Sequence, residues 1–277
     1  MGARVISVVG APVAFTFDNE RLWIATADNN AVQSINPQTG TLVSTIAIDD
    51  VPQALTFDGS LLWVAHSLDT IQSIDPRNGR ANASIRVGRS PADIVFDGER
   101  LWVANSFDST IQSIDPLTGE THSPIPVGAG PWALAFDGKR LWAANAGDNT
   151  VQSIDPDTGK INAPIKVGAF PKALAFDGKL LWVANRDDRT VQSIDPITGR
   201  ANPSIQLAGA PEHLAFDGKR LWATLSRANQ LQAVEVSTGK AAPPISTGKN
   251  PWAIFFDGMQ LWVANADDQT VQLIKTQ

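Results

Sequence analysis

Pro131-Trp-Ala-Leu-Ala-Phe-Asp-Gly138 runs into Leu141-Trp-Ala-Ala-Asn145, then Thr150-Val-Gln-Ser-Ile154, Asp155-Pro-Asp-Thr-Gly159 and Ala163-Pro-Ile-Lys-Val167. The apolar runs are short, and each is closed by residues that turn the chain. Asp137-Gly138 is a two-residue hairpin signal, because a type I′ turn needs positive φ at both central residues. Asp155 to Gly159 sets Pro and Gly where a tight turn accepts them. Nothing keeps a helical period over about ten residues. The stretch predicts four strands in a meander. Its second strand, Leu141 to Asn145, is apolar on both faces, which a sheet with one wet face does not tolerate. It predicts a sheet sandwiched between two others.

The unit recurs. Leu-Trp stands at Leu22-Trp23, Leu62-Trp63, Leu101-Trp102, Leu141-Trp142, Leu181-Trp182, Leu221-Trp222 and Leu261-Trp262, at spacings of 40, 39, 40, 40, 40 and 40 residues. A fixed period of this length marks one supersecondary unit stacked on its copies. The expected fold is all-β: a single seven-bladed β-propeller of four-stranded antiparallel blades, filling residues 1–277. The blades fall at about 11–50, 51–89, 90–129, 130–169, 170–209, 210–249, and 250–277 together with 1–10. The last copy stops after its third strand, and Val5 to Val9 supplies a lone fourth one. That N-terminal strand is expected to complete the last blade and close the ring, which removes exposed sheet edges. The seven repeat Trp, each burying roughly 150–250 Å², are packing residues first.

Leu-Trp-Val-Ala-Asn, followed by Asp-x-Thr-Val-Gln-Ser-Ile-Asp-Pro-x-Thr-Gly and a run ending in Ala-Phe-Asp-Gly, resembles the YVTN-type seven-bladed β-propeller repeat (NHL/YVTN-like). The likeness is clearest between Leu181 and Gly218, with Trp standing where that family usually has Tyr. It implies the fold and leaves function open, since propellers host enzymes, binding modules and scaffolds.

Composition narrows the rest. The chain lacks cysteine, which excludes disulfides and thiolate metal sites. A net charge of −6 offers no basic footprint for nucleic acid. No apolar run approaches the roughly 18 residues of a membrane span. A cytoplasmic location is expected if Met1 is the native start, and an extracytoplasmic one if a leader preceded it. A monomer is expected.

Residues shared by nearly every copy are explained by the repeat. The Asp-Gly pairs read as turns rather than metal ligands. Gln33, Gln72, Gln112, Gln152, Gln192, Gln232 and Gln272 form a ring of amides expected to hydrogen-bond between blades. Function is sought where the copies differ, on the face carrying the loops into the first strand and out of the second. After the loop proline the chain reads Val13, Gln53, Ala92, Trp132, Lys172, Glu212 and Trp252; next come Ala14, Ala54, Asp93, Ala133, Ala173, His213 and Ala253. Of nine Trp, seven belong to the repeat, so Trp132 and Trp252 are surplus. Phe107 and Phe170 are surplus by the same subtraction and fall in loops of the variable face, as does His66. Trp132, Trp252, Lys172, Glu212, His213, Asp93, Gln53, Phe170, Phe107 and His66 make the candidate ligand-binding set. Blade six departs most from the repeat, with Leu225 for Asn, Ala228 for Asp and Glu235-Val236 for Asp-Pro.

No nucleophile–base–acid set can be assembled. Glu212 and His213 supply general-base chemistry at most, and strand alternation would point them to opposite faces. Streptogramin lyases, propellers of similar repeat, use a His/Glu metal site that the three scattered His do not reproduce. No cofactor is expected; the one metal option is a divalent ion at the channel mouth between Asp93 and Glu212, as channel-end acids hold calcium in gluconolactonase-like propellers. Three readings follow: a non-enzymatic module holding a small molecule, glycan or peptide at the channel mouth; a lyase or hydrolase using His213 and Glu212; a near-symmetric structural or engineered ring without a specific ligand.

Overall fold

The computed structural model describes residues 4–275; positions 1–3 and 276–277 of the expected seventh blade lie outside them. Seven antiparallel sheets follow one another, each a meander such as Pro131–Phe136, Leu141–Asn145, Thr150–Ile154 and Ile165–Lys166. First strands pack against first strands from each blade to the next, including Pro12–Phe17 of blade one against Pro251–Phe256 of blade seven, so the ring is closed. The closing strand is Arg4–Ser7, paired antiparallel to Thr270–Ile274 as the outermost strand of blade seven. No helix is long and apolar enough to cross a membrane among the described residues.

The core is seven clusters, one per blade interface. Trp142 of blade four lies against Leu174, Leu181, Val183 and Ile194 of blade five, and Trp262 of blade seven against Leu22, Ile24 and Ile35 of blade one. That is why the second strand carries no polar face. Each indole also donates a hydrogen bond from Nε1 to the carboxylate of its own blade's hairpin aspartate, at 2.6–2.8 Å from Asp18 in blade one to Asp257 in blade seven. The aspartate is thus doubly used. Its other oxygen accepts the next two amide groups of the turn, as Asp137 Oδ1 does from Lys139 and Arg140.

The hairpin itself differs from expectation. Asp137 N–H bonds the Arg140 carbonyl, so the central pair is Gly138-Lys139, and positive φ falls on Gly138 alone (88°). This is the pattern of a II′ turn rather than I′: the glycine takes the first central position and the aspartate closes the loop. In blades two to six the fourth strands are also shorter than expected, whereas blade one keeps the six residues Leu42–Ala47. Of Ala163 to Val167 only Ile165–Lys166 pairs, because Pro164 has no N–H to donate. In blades two and six the outer edge is split into two short pieces. Short, proline-marked edges suit a ring whose rim faces water.

Six of the seven glutamines bridge blades as expected, while among the described residues the Gln192 side chain bonds only Asn202 of its own blade. Gln112 Oε1 of blade three accepts the N–H of Gly88, on the segment leaving blade two. A further rule emerges beside them. Asn145 fills the space in which a Cβ on Gly128 would stand, 2.6 Å from its Nδ2. Asn and Gly occur together at these two places in blades three, four, five and seven; blades one, two and six have Val9 with Thr26, Asp49 with His66, and Ala208 with Leu225. Neither member is exchanged alone, as close packing requires.

Candidate functional site

The first strand of a blade lines the channel, and it is irregular at the mouth. In six blades the pairing shifts across the residue after the loop proline, as between Pro131 and Ala133. An extra residue breaks the in–out alternation and leaves two consecutive side chains on the same side. In blade six the equivalent stretch keeps the bonds Glu212 N to Thr224 O and Thr224 N to His213 O, and regular strand begins at Leu214. Glu212 and His213 therefore both line the channel, against the alternation expected from sequence.

A cavity of 280 Å³ occupies the mouth. Gln53, Asp93, Trp132, Lys172, Glu212, His213 and Trp252 all face it. Lys172 is the centre of this group: its Nζ stands 3.8 Å from the Trp132 ring centroid and 5.1 Å from that of Trp252. The two surplus indoles flank one ammonium, an arrangement worth about 1–2 kcal/mol per good contact when desolvated. Burial outweighs the attraction of Glu212 and lowers the Lys172 pKa to about 8. Phe170 adjoins from the loop, 6.0 Å from Trp132, with the Arg186 guanidinium 5.2 Å from its ring. Val13 and Ala92 leave the opposite arc of the mouth open.

Glu212 is fixed. Its buried Oε1 accepts from Arg186 Nε at 3.1 Å and from Ser226 Oγ at 3.1 Å. Asp93 bridges two blades: Oδ1 accepts from Ile94 N and Oδ2 from Leu134 N of blade four, both at 2.8 Å. Enclosure by the channel wall outweighs those bonds and raises its pKa to about 7. His213 is the counterpart three blades on, bonded to the backbone at Leu214 and Ile254. It is open to channel water yet walled by protein, and desolvation with the Lys172 charge lowers its pKa to about 4.

The two shifts give opposite pH slopes. Asp93 is raised above its unfolded value of 3.8, so its contribution is present below that value and is lost as pH rises through 7. His213 is lowered from 6.5, so its contribution is present above that value and is lost as pH falls through 4. Between about pH 4 and 6.5 they offset one another. Urea midpoints of Asp93→Asn are expected to rise with pH across this window, and those of His213→Gln to fall. The Asp93 effect is about 2 kcal/mol, half the bare conversion, since the carboxyl touches channel water. Parallel profiles in the native protein and both variants would refute the assignment.

Three candidates do not line this cavity: Phe170, which only stacks toward Trp132 from the loop, Phe107 and His66. Phe107 is 69% exposed on the loop of blade three, with Arg89 stacked 4.3 Å over its ring. His66 is not in a loop: it ends the strand Leu62–His66, fully buried, with Nδ1 3.1 Å from Thr70 Oγ1. It occupies the place of the repeat Asn, and burial lowers its pKa. Arg186 and Ser226 were missed, although subtraction reaches Arg186: the equivalent positions read Ala27, Ser67, Ser106, Ala146, Ser226 and Ala266. Among the described residues no three His, Asp or Glu side chains gather as a metal-ligand set.

No family model matches the chain, and no curated protein does. Among solved structures it is similar to the hydrazine synthase of Kuenenia stuttgartiensis, 20% identical over 100% of this chain and 98% of that one, with a TM-score of 0.86. It is also similar to a streptogramin B lyase, 16% identical over 99% of this chain and 98% of that one, with a TM-score of 0.86. At such identities the likeness establishes what the strands already show: an all-β, seven-bladed propeller.

Proposed function

We propose that this chain is a non-enzymatic binding propeller of YVTN type, acting as a single ring, whose channel mouth holds a small molecule. One observation carries the reading. Seven of the side chains that depart from the repeat, contributed by six blades, meet around one 280 Å³ cavity. Drift without a ligand would scatter such exceptions over rim and face alike. The volume sits just below the roughly 300–1,000 Å³ of small-ligand pockets, so a glycan or peptide would enter by one terminal unit only. Flat apolar indoles, the Lys172 ammonium and the Asp93 carboxyl suit a compact, ring-bearing molecule with an acceptor group.

The catalytic reading keeps one supporting fact, that His213 is neutral near pH 7, the form a general base requires. Its partner is committed elsewhere, because Glu212 is held by Arg186 and Ser226. The shared fold with a streptogramin B lyase adds nothing residue-specific.

A small-molecule screen read by Trp fluorescence tests the proposal. Hits are expected to quench or shift the emission saturably, and to be recovered unchanged after long incubation. Trp132→Ala with Trp252→Ala should abolish the response while far-UV circular dichroism and cooperative melting persist. A response that survives the double substitution would remove the proposal, and steady conversion of a hit that stops in His213→Ala would replace it with the catalytic reading.

A further inference from the structure

In four of the seven blades the repeat supplies its own anion to the loop that enters the first strand; among the described residues blades one and two have no such aspartate bond. In blades three, four, five and seven an aspartate of the following loop accepts a backbone N–H there: Asp108 from Arg89, Asp148 from Ala129, Asp188 from Ala169 and Asp268 from Lys249, at 2.6–2.8 Å. The next N–H is held by the preceding blade, as Phe170 N is by Asn149 Oδ1 and Asn250 N by Asn229 Oδ1. Blade six loses both acceptors. Ala228 replaces the aspartate, and Arg189 stands where blade four has Asn149. Among the described residues neither Gly209 N nor Ala210 N has a hydrogen-bond partner, although both residues are half-buried.

What replaces the lost acceptors is positive charge. A 340 Å³ cavity opens at these two amides and is lined by Arg186, Arg189 and Arg227, with Asp187 the one carboxylate on it. Each arginine departs from the repeat. Arg189 moreover holds φ +57°, the left-handed loop position that carries Asn30, Asp69, Ser109, Asn149, Asn229 and Gln269 in the other blades. A long cation is poorly suited to that conformation on local grounds. Arg186 is committed through Nε to Glu212, so the remaining positive charge comes from Arg189 and Arg227, against the single carboxylate of Asp187.

We infer that the notch between blades five and six is an oxyanion site, taking a carboxylate, phosphate or sulfate group in place of the missing aspartate. Two adjacent N–H groups and a guanidinium fork are the donor set such groups bind. The two cavities share no lining residue; Arg186 joins them through its pair with Glu212 and its contact with Phe170, which adjoins Trp132.

Thermal unfolding of the full chain in inorganic phosphate, sulfate or acetate, against chloride at matched ionic strength, tests this. The melting temperature is expected to rise saturably with one or more of the oxyanions and not with chloride; phosphate and sulfate acting without acetate would assign a tetrahedral anion, and acetate acting alone a carboxylate. Ala228→Asp restores the internal acceptor, so it should raise stability without added anion and erase the saturable rise. Arg189→Gln with Arg227→Gln should keep the fold and weaken apparent affinity roughly tenfold or more, since each charge-assisted bond is worth about that factor. No saturable rise in the native chain, or an equal rise in Ala228→Asp, would overturn the inference.

Discussion

Trp142→Ala is expected to destabilise the ring by about 3–5 kcal/mol, the range for removing a fully buried Trp. The indole is 1% exposed, packed against four apolar side chains of blade five, and bonded through Nε1 to Asp137 at 2.7 Å. Truncation opens a void at the interface of two blades. It also leaves Asp137 without its side-chain donor, though Lys139 and Arg140 still bond it through their amides. A fall in melting temperature on the order of 10 °C is expected for a chain of this size. Trp132 and Trp252 are only partly buried at the mouth, so alanine there should cost about 1 kcal/mol each, chiefly the Lys172 contacts. The two kinds of Trp are thereby separated by stability as well as by binding. Equal losses at Trp142 and Trp132 would contradict the division between repeat and site.

Arg186→Met is expected to cost about 3 kcal/mol. Breaking a buried ion pair by removing one partner leaves a desolvated charge, at roughly 3–5 kcal/mol. The lower end applies because Lys172 still attracts Glu212 and Ser226 still donates to it. Glu212→Gln placed on Arg186→Met removes the stranded charge and should recover most of the loss. Denaturant midpoints of the two single variants and the double give the coupling directly. Additive losses would show that the pair does not act as a unit.

The fold was legible from Leu-Trp spacing because a ring of identical interfaces reads the same residue in every copy. Trp142 and Trp262 serve equivalent interfaces, blade four on five and blade seven on one, so the sequence repeats the answer. Closure by Arg4–Ser7 followed from counting strands. Turn chemistry was less legible: Asp-Gly reads as a type I′ centre, yet Asp137, bonded to the Trp142 indole, closes the loop and the glycine takes the first central place. The mouth was found by subtraction, because only departures from the repeat carry site information there. Glu212 and His213 were misjudged since alternation presumes regular pairing, and a bulge is set by backbone bonds rather than by side-chain type. His66 is expected in a loop, although Leu62-Trp-Val-Ala-His66 aligns with Leu101-Trp-Val-Ala-Asn105 and sets it where the repeat has Asn; the residue its blade lacks is lost after it. The coupling of Asn145 with Gly128, by contrast, stands in the sequence for anyone comparing two columns together.

Incorporation of 5-fluorotryptophan gives one ¹⁹F resonance for each of the nine Trp, and Trp132→Phe and Trp252→Phe assign the two at the mouth. Titration with a screening hit is predicted to shift the resonances of Trp132 and Trp252 and to leave the seven repeat Trp in place. Shifts confined to repeat Trp, with both mouth resonances unmoved at saturation, would contradict a ligand in the channel.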